Sequence, residues 1–164
     1  MELKQAFQIA LDNEQKGHDI YEETAEKTSN PIVKKTFSYL ADQEAVHIKD
    51  IKNYMEKEQI ESHEEKLEDA KRFFSITVKE FKDKTELSDN DIKVYEIAME
   101  LEKKAHEFYK EQYDEANADD IKLFFKWLMD QENMHYALIQ KTYEFIKDPV
   151  AFYSEEEAWS VDGG

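Results

Sequence analysis

Asp42-Gln43-Glu44-Ala45-Val46-His47 and Asp130-Gln131-Glu132-Asn133-Met134-His135 decide how this chain is read. Both are Asp-Gln-Glu-x-x-His, and they lie 88 residues apart. The same offset carries Glu14 to Glu102 upstream. Around them the chain repeats itself: Ala10/Ala98, Lys16/Lys104, His18/His106, Tyr21/Tyr109, Phe37/Phe125 and Leu40/Leu128 are identical pairs. Glu and His three residues apart share one face of a helix, about a turn apart. Four glutamates and two histidines therefore form two copies of one half-site, a donor set suited to two metal ions between the helices of a bundle.

Not every acid qualifies, because the chain has 39 of them. The test is whether an acid interrupts the apolar stripe that must face a core. Glu14 follows Leu3, Phe7 and Ala10 and precedes Tyr21; Glu44 and His47 lie between Leu40 and Ile51. Glu102 lies between Ala98 and Tyr109, and Glu132 and His135 lie between Leu128 and Ile139. A buried carboxylate costs several kcal/mol unless it is paired or neutralised. Four converging carboxylates are balanced by two divalent cations, with imidazole as the softer donor. Oxygen-rich ligation with one His per metal suits Fe or Mn better than Zn, although Zn is a common adventitious occupant of isolated proteins.

The elements follow from periodicity and punctuation. Helices are expected over 3–28 and 31–57, broken at Ser29-Asn30-Pro31, where Pro ends one helix and opens the next. A shorter amphipathic helix is expected over 65–83, with Leu67, Ala70, Phe74, Val78 and Phe81 on one face. Ser88 reads as the N-cap of a third long helix over 89–117, and a fourth runs over 119–147 to Asp148-Pro149. Short turns make each long pair an antiparallel hairpin, and the long middle connection must cross the bundle. The fold class is all-α: a ferritin-like four-helix bundle of two hairpins joined by a crossover carrying a short extra helix. Residues 1–148 read as one domain and 149–164 as a tail.

Composition narrows the function. The net charge of −17 repels nucleic acid and anionic membranes. No Cys is present, which removes disulfides, thiolate metal sites and a four-cysteine rubredoxin-type iron site from this chain. The beginning of the chain lacks a signal-peptide pattern and no apolar run reaches membrane length, so the expected location is cytoplasmic. Tyr21 and Tyr109 lie two turns beyond Glu14 and Glu102. From there they either hydrogen-bond ligand carboxylates across the bundle or pack as core tyrosines. Asp42 and Asp130 either receive the second N–H of a ligand histidine or sit at the solvent edge. His18 and His106 read as bundle-edge residues and His63 as exposed. Phe73, Phe74, Trp127 and Trp159 read as core or interface.

Glu14-x6-Tyr21, Glu44-x-x-His47, Glu102-x6-Tyr109 and Glu132-x-x-His135 resemble the rubrerythrin family of ferritin-like di-iron proteins over essentially the whole helical chain. The resemblance implies terminal carboxylates from Glu14 and Glu102, bridging carboxylates from Glu44 and Glu132, and histidine ligands His47 and His135, holding two iron ions per subunit. It departs from the family at Ala105, where members usually carry a further glutamate; the repeat-mate of Ala105 is Gly17. With no Cys, the match is to short members without a rubredoxin domain. The implied activity is reduction of hydrogen peroxide or dioxygen, in protection against oxidative stress, with electrons from an external donor such as a rubredoxin. The alternatives from the same residues are a ferroxidase or iron-handling protein and a non-catalytic metal-binding helical module. A homodimer is expected, since the crossover's apolar face needs a surface to cover, either its own bundle's or a partner's.

Overall fold

A computed structural model describes residues 2–57, 67–80 and 88–148. Among them are five helices: α1 (Leu3–Lys27), α2 (Pro31–Lys57), α3 (Leu67–Glu80), α4 (Asp89–Glu115) and α5 (Asp119–Lys147). The side chains of Leu67 and Val78, together with His63, Phe81, Trp159, the polar break after 57 and the tail from 149, lie outside the described residues.

Local chemistry sets the helix ends. Gln5 Oε1 accepts from the Glu2 N–H at 3.1 Å where α1 begins. The start of α2 is capped by Asn30, whose Oδ1 accepts from the N–H groups of Ile32 (2.9 Å) and Val33 (3.2 Å). Pro31 fills the first helical position, where a missing N–H costs nothing. Ser88 caps α4 as expected: its hydroxyl accepts from the Asp91 N–H at 3.1 Å, and Asp91 accepts from the Ser88 N–H at 3.2 Å. Asp91 also accepts from the Thr28 hydroxyl at 3.1 Å, tying the end of α1 to the start of α4. α5 has no side-chain N-cap; Asp119 and Asp120 in its first turn complement the helix dipole instead.

α1 and α2 form one antiparallel hairpin. Phe7 meets Tyr54, Glu14 meets His47 and Tyr21 meets Phe37, so numbers rise on one helix as they fall on the other. In α4 and α5, Tyr95 meets Tyr143, Glu102 meets His135 and Tyr109 meets Phe125 in the same sense. The two hairpins close a four-helix bundle, with α3 laid mainly against α5. Ala70 and Phe74 are buried in the bundle, and Phe73 stacks on Tyr39 at 4.1 Å. The crossover helix thus covers an apolar surface of its own bundle.

The core is in two parts. One holds Tyr21, Phe37, Leu40, Tyr95, Ile139 and Phe145; the other holds Phe7, Tyr54, Tyr109, Phe124, Phe125 and Trp127. Fully burying one such side chain contributes about 1.5–3 kcal/mol. Between the two parts, at the middle of all four long helices, lie the ionisable residues.

Candidate metal centre

Glu14, Glu44, His47, Glu102, Glu132 and His135 are each no more than 3% exposed. Each long helix contributes its part at mid-length, because the apolar residues on either side force that face inward. The donor atoms form two four-residue groups within which every atom lies within 4.8 Å of the others, Glu14, Glu44, His47 and Glu132 in one and Glu44, Glu102, Glu132 and His135 in the other; a third group, Glu44, His47 and His135, links the two. Glu44 and Glu132 belong to both. Each of the remaining four belongs to one four-residue group, with a glutamate and a histidine on each side.

The Nδ1 atoms of both histidines face the carboxylates. His47 Nδ1 is 3.0 Å from Glu14 Oε2, and His135 Nδ1 is 3.1 Å from Glu44 Oε1 and 3.6 Å from Glu102 Oε1. The two imidazole rings stack at 5.3 Å, tilted by 12°. Trp127 stands edge-on to His47 at 5.6 Å.

The tyrosines exchange between hairpins. Tyr21 on α1 donates to Glu102 Oε1 on α4, and Tyr109 on α4 donates to Glu14 Oε1 on α1 at 2.8 Å. Burial and then the charge of Glu102 push the Tyr21 hydroxyl well above its ordinary range; burial and then Glu14 do the same for Tyr109. Both therefore stay protonated and donate throughout the neutral range.

The four carboxyls divide by position. Burial, followed by the charge of Glu14, drives Glu44 well above the usual carboxylate range; burial, followed by Glu102 and Glu14, does so for Glu132. Burial also acts to raise Glu14 and Glu102. It is outweighed at Glu14 by hydrogen bonds from Glu44 and His47, and at Glu102 by hydrogen bonds from Glu132 and His135, so both lie below the usual range. The shared glutamates are thus biased toward the protonated form and the outer ones toward the charged form.

Asp42 and Asp130 do not join the site. Both are exposed, and Asp130 pairs with Lys126 at 3.1 Å, so of the two placements open to these aspartates they take the solvent edge. The residue that reaches a histidine is Gln131: it is 1% exposed, and its Oε1 accepts from His47 Nε2 at 3.2 Å. Its signal was in the sequence, since Gln131 lies four residues before His135 and shares its face, whereas Asp130 points away from Glu132. His18 is an edge residue 3.2 Å from Asp19, and His106 is half-buried outside the cluster.

A cleft of about 320 Å³ between α1 and α4 opens onto this centre. Its floor is Glu14, Glu44, Glu102 and Glu132, with Tyr21 and Tyr109 beside them and Lys16 and Lys104 at the lining's exposed edge. A family model described as rubrerythrin matches residues 6–143, a span that contains all four helices of the bundle's centre. The chain belongs to the rubrerythrin family. No curated protein and no solved structure matches it. Family membership accords with the all-α ferritin-like bundle and with a buried carboxylate and histidine cluster able to hold metal. Among the described residues, no helix is long and apolar enough to cross a membrane.

Proposed function

We propose that this rubrerythrin-family chain is a di-iron oxidoreductase that reduces hydrogen peroxide or dioxygen. In this reading Glu14, Glu44, His47 and Glu132 would hold one iron ion and Glu44, Glu102, Glu132 and His135 the other. The single observation that carries it is the overlap of the two donor groups at Glu44 and Glu132. A structural polar core has no need to share two carboxylates between two clusters. The residues fit the ions chemically: four buried carboxyl groups and two buried imidazoles converge there, oxygen-rich donors whose charge two divalent cations balance.

Bound iron would supply the two electrons that reduce an O–O bond. The chain's own residues hold and orient. With iron bound, Gln131 Oε1, 3.2 Å from His47 Nε2, would accept the Nε2–H and so leave the Nδ1 lone pair for the metal, in place of the Nδ1 contact to Glu14. Tyr21 and Tyr109 each anchor an outer carboxylate from the opposite hairpin, so its free oxygen keeps one direction. The cleft between α1 and α4 is the route for oxidant, and the apolar cores above and below exclude bulk water. With no cysteine in the chain, the electrons that restore the ferrous state come from a separate donor, such as a rubredoxin.

The test is anaerobic Fe²⁺ titration followed by H₂O₂ and O₂ in parallel, read by the ferric absorbance. Two ions bound per chain and oxidation by at least one oxidant are expected. Saturation well below two ions, or no oxidation by either, would refute the proposal.

A further inference from the structure

Every residue lining the cleft has its counterpart on the opposite side at the 88-residue offset, so the cleft straddles the axis that relates the two hairpins. Four of the seven pairs are identical: Glu14/Glu102, Lys16/Lys104, Tyr21/Tyr109 and Glu44/Glu132. These are the residues that ligate, anchor or carry charge. The other three have diverged: Asn13 faces Leu101, Gly17 faces Ala105 and Ile20 faces Phe108. All three differences run in one direction. At these three positions the α4 wall is bulkier and apolar, while the α1 wall has an amide, a glycine and an isoleucine.

The glycine is not required by the backbone. A Cβ at position 17 would meet the Glu44 carboxyl carbon at 3.5 Å, an ordinary contact. Its absence leaves open space on that wall. The cleft is also larger than the smallest oxidants need. A water molecule's share of the liquid is about 30 Å³, and H₂O₂ or O₂ needs on the order of twice that at most. The cleft's 320 Å³ lies in the range of sites that take small organic molecules.

H₂O₂ and O₂ are symmetric and gain nothing from two unlike walls. An oxidant with one apolar end does. We infer that the cleft takes an alkyl or aralkyl hydroperoxide as substrate, its organic group on Leu101, Ala105 and Phe108 and its peroxide over the four carboxylates. This rests on the two-iron reading above and names a substrate class for the same site. The step balances within one turnover: ROOH + 2 H⁺ + 2 e⁻ gives ROH + H₂O. The O–O bond breaks, the carbon-bound oxygen leaves as alcohol and the other as water. A ferrous pair held by the six donors would supply both electrons, and solvent would supply both protons.

Two measurements test it. In the first, the metal-free full chain is titrated with 2-phenyl-2-propanol, the alcohol product of cumene hydroperoxide, and amide shifts are mapped by NMR. Larger shifts at 101, 105 and 108 than at 13, 17 and 20 are expected; no binding, or equal shifts on both walls, overturns the inference without touching the two-iron reading. In the second, the Fe²⁺-loaded chain is mixed with H₂O₂ or cumene hydroperoxide in single turnover. Cumene hydroperoxide is expected to react within tenfold of H₂O₂. Copying the α1 residues onto α4, as Leu101→Asn with Phe108→Ile, should lower the cumene-to-H₂O₂ rate ratio at least tenfold, since one methylene in an apolar site is worth 10–200-fold. Oxidation by H₂O₂ with cumene hydroperoxide more than tenfold slower in the native chain, or an unchanged ratio in the folded double variant, overturns the inference alone. Oxidation by neither peroxide overturns the inference, and the two-iron reading falls with it when O₂ also leaves the loaded chain unoxidised. If the double variant fails to fold, the native-chain rates and the NMR map decide.

Discussion

Glu44→Gln separates the metal-free and metal-bound roles of a shared carboxyl. In the metal-free chain, burial and Glu14 keep the Glu44 carboxyl protonated, so glutamine is close to isosteric with the form already present. Its amide oxygen can still lie beside His135 Nδ1, now 3.1 Å from Glu44 Oε1, and its N–H replaces the proton shared with Glu14. One neutral hydrogen-bonding group exchanged for another changes stability by about 1 kcal/mol or less. The metal-bound chain responds differently, because Glu44 belongs to both donor groups. A metal held at a hundred times its Kd stabilises by about 2.7 kcal/mol per site, and each tenfold weakening removes about 1.4 kcal/mol. Two sites give about 5 kcal/mol, or roughly 10–20 °C in Tm for a chain of this size. A hundredfold weakening at both sites removes nearly all of that. Glu102→Gln touches one group only and should remove about half. The assay is thermal unfolding by circular dichroism, with and without Mn²⁺ as a redox-quiet probe. Equal losses of the metal-dependent shift in the two variants would refute the sharing of Glu44. A metal-free Glu44→Gln chain less stable by more than about 3 kcal/mol would refute its protonation.

Four further outcomes are expected. Tyr109→Phe removes the donor to Glu14 and should cost about 1–2 kcal/mol of metal-free stability and weaken metal binding about tenfold, read by urea denaturation and metal titration. Gln131→Leu should weaken metal binding about 10–100-fold, whereas Asp130→Ala at the exposed edge should change stability by less than about 0.5 kcal/mol; equal effects of the two would restore the aspartate as the histidine's support. Gly17→Ala should stabilise α1 by about 0.5–1 kcal/mol, because the added Cβ meets Glu44 only at ordinary contact; a fall in Tm would show that the cleft wall cannot accept it. The stability that protonated Glu44 and Glu132 contribute is fully present below the ordinary carboxylate range and is lost as pH rises through their raised values. That of Glu14 and Glu102 is lost only as pH falls through their lowered values. The metal-free chain should therefore weaken on going from pH 5.5 to 8 even in 0.5 M NaCl, and metal uptake at neutral pH should release protons, measured by calorimetry in buffers of different ionisation enthalpy.

Helix ends were legible wherever the chemistry that sets them is local. Pro31, Ser88 and the Asp148-Pro149 pair placed the breaks within a residue or two of where the helices end. Asn30 as the cap of α2 was overshadowed by Pro31, although Asn directly before a helical Pro is itself a cap signal. The six central donors were legible because each breaks an apolar stripe, and burial is what a stripe reports. Contacts across the bundle were legible only as alternatives. Periodicity says that Tyr21 and Tyr109 face inward, but which carboxylate each meets depends on how the hairpins are set against one another. The same holds for Gln131: its inward angle is readable from the helix, but its meeting with His47 of the other hairpin is not.

The crossed tyrosines and the shared glutamates mean that neither hairpin holds a whole site. Two copies of a single hairpin, each roughly a third of this chain, could in principle assemble the same centre by self-association. Such a pair would be bound by its own symmetry: any change at one wall would appear at the other, and a guest would always find two equivalent orientations. Joining the two halves in one polypeptide lifts that degeneracy. Position 101 is free to become leucine while position 13 stays asparagine, and a centre that is twofold in its ligands can be handed in what it admits.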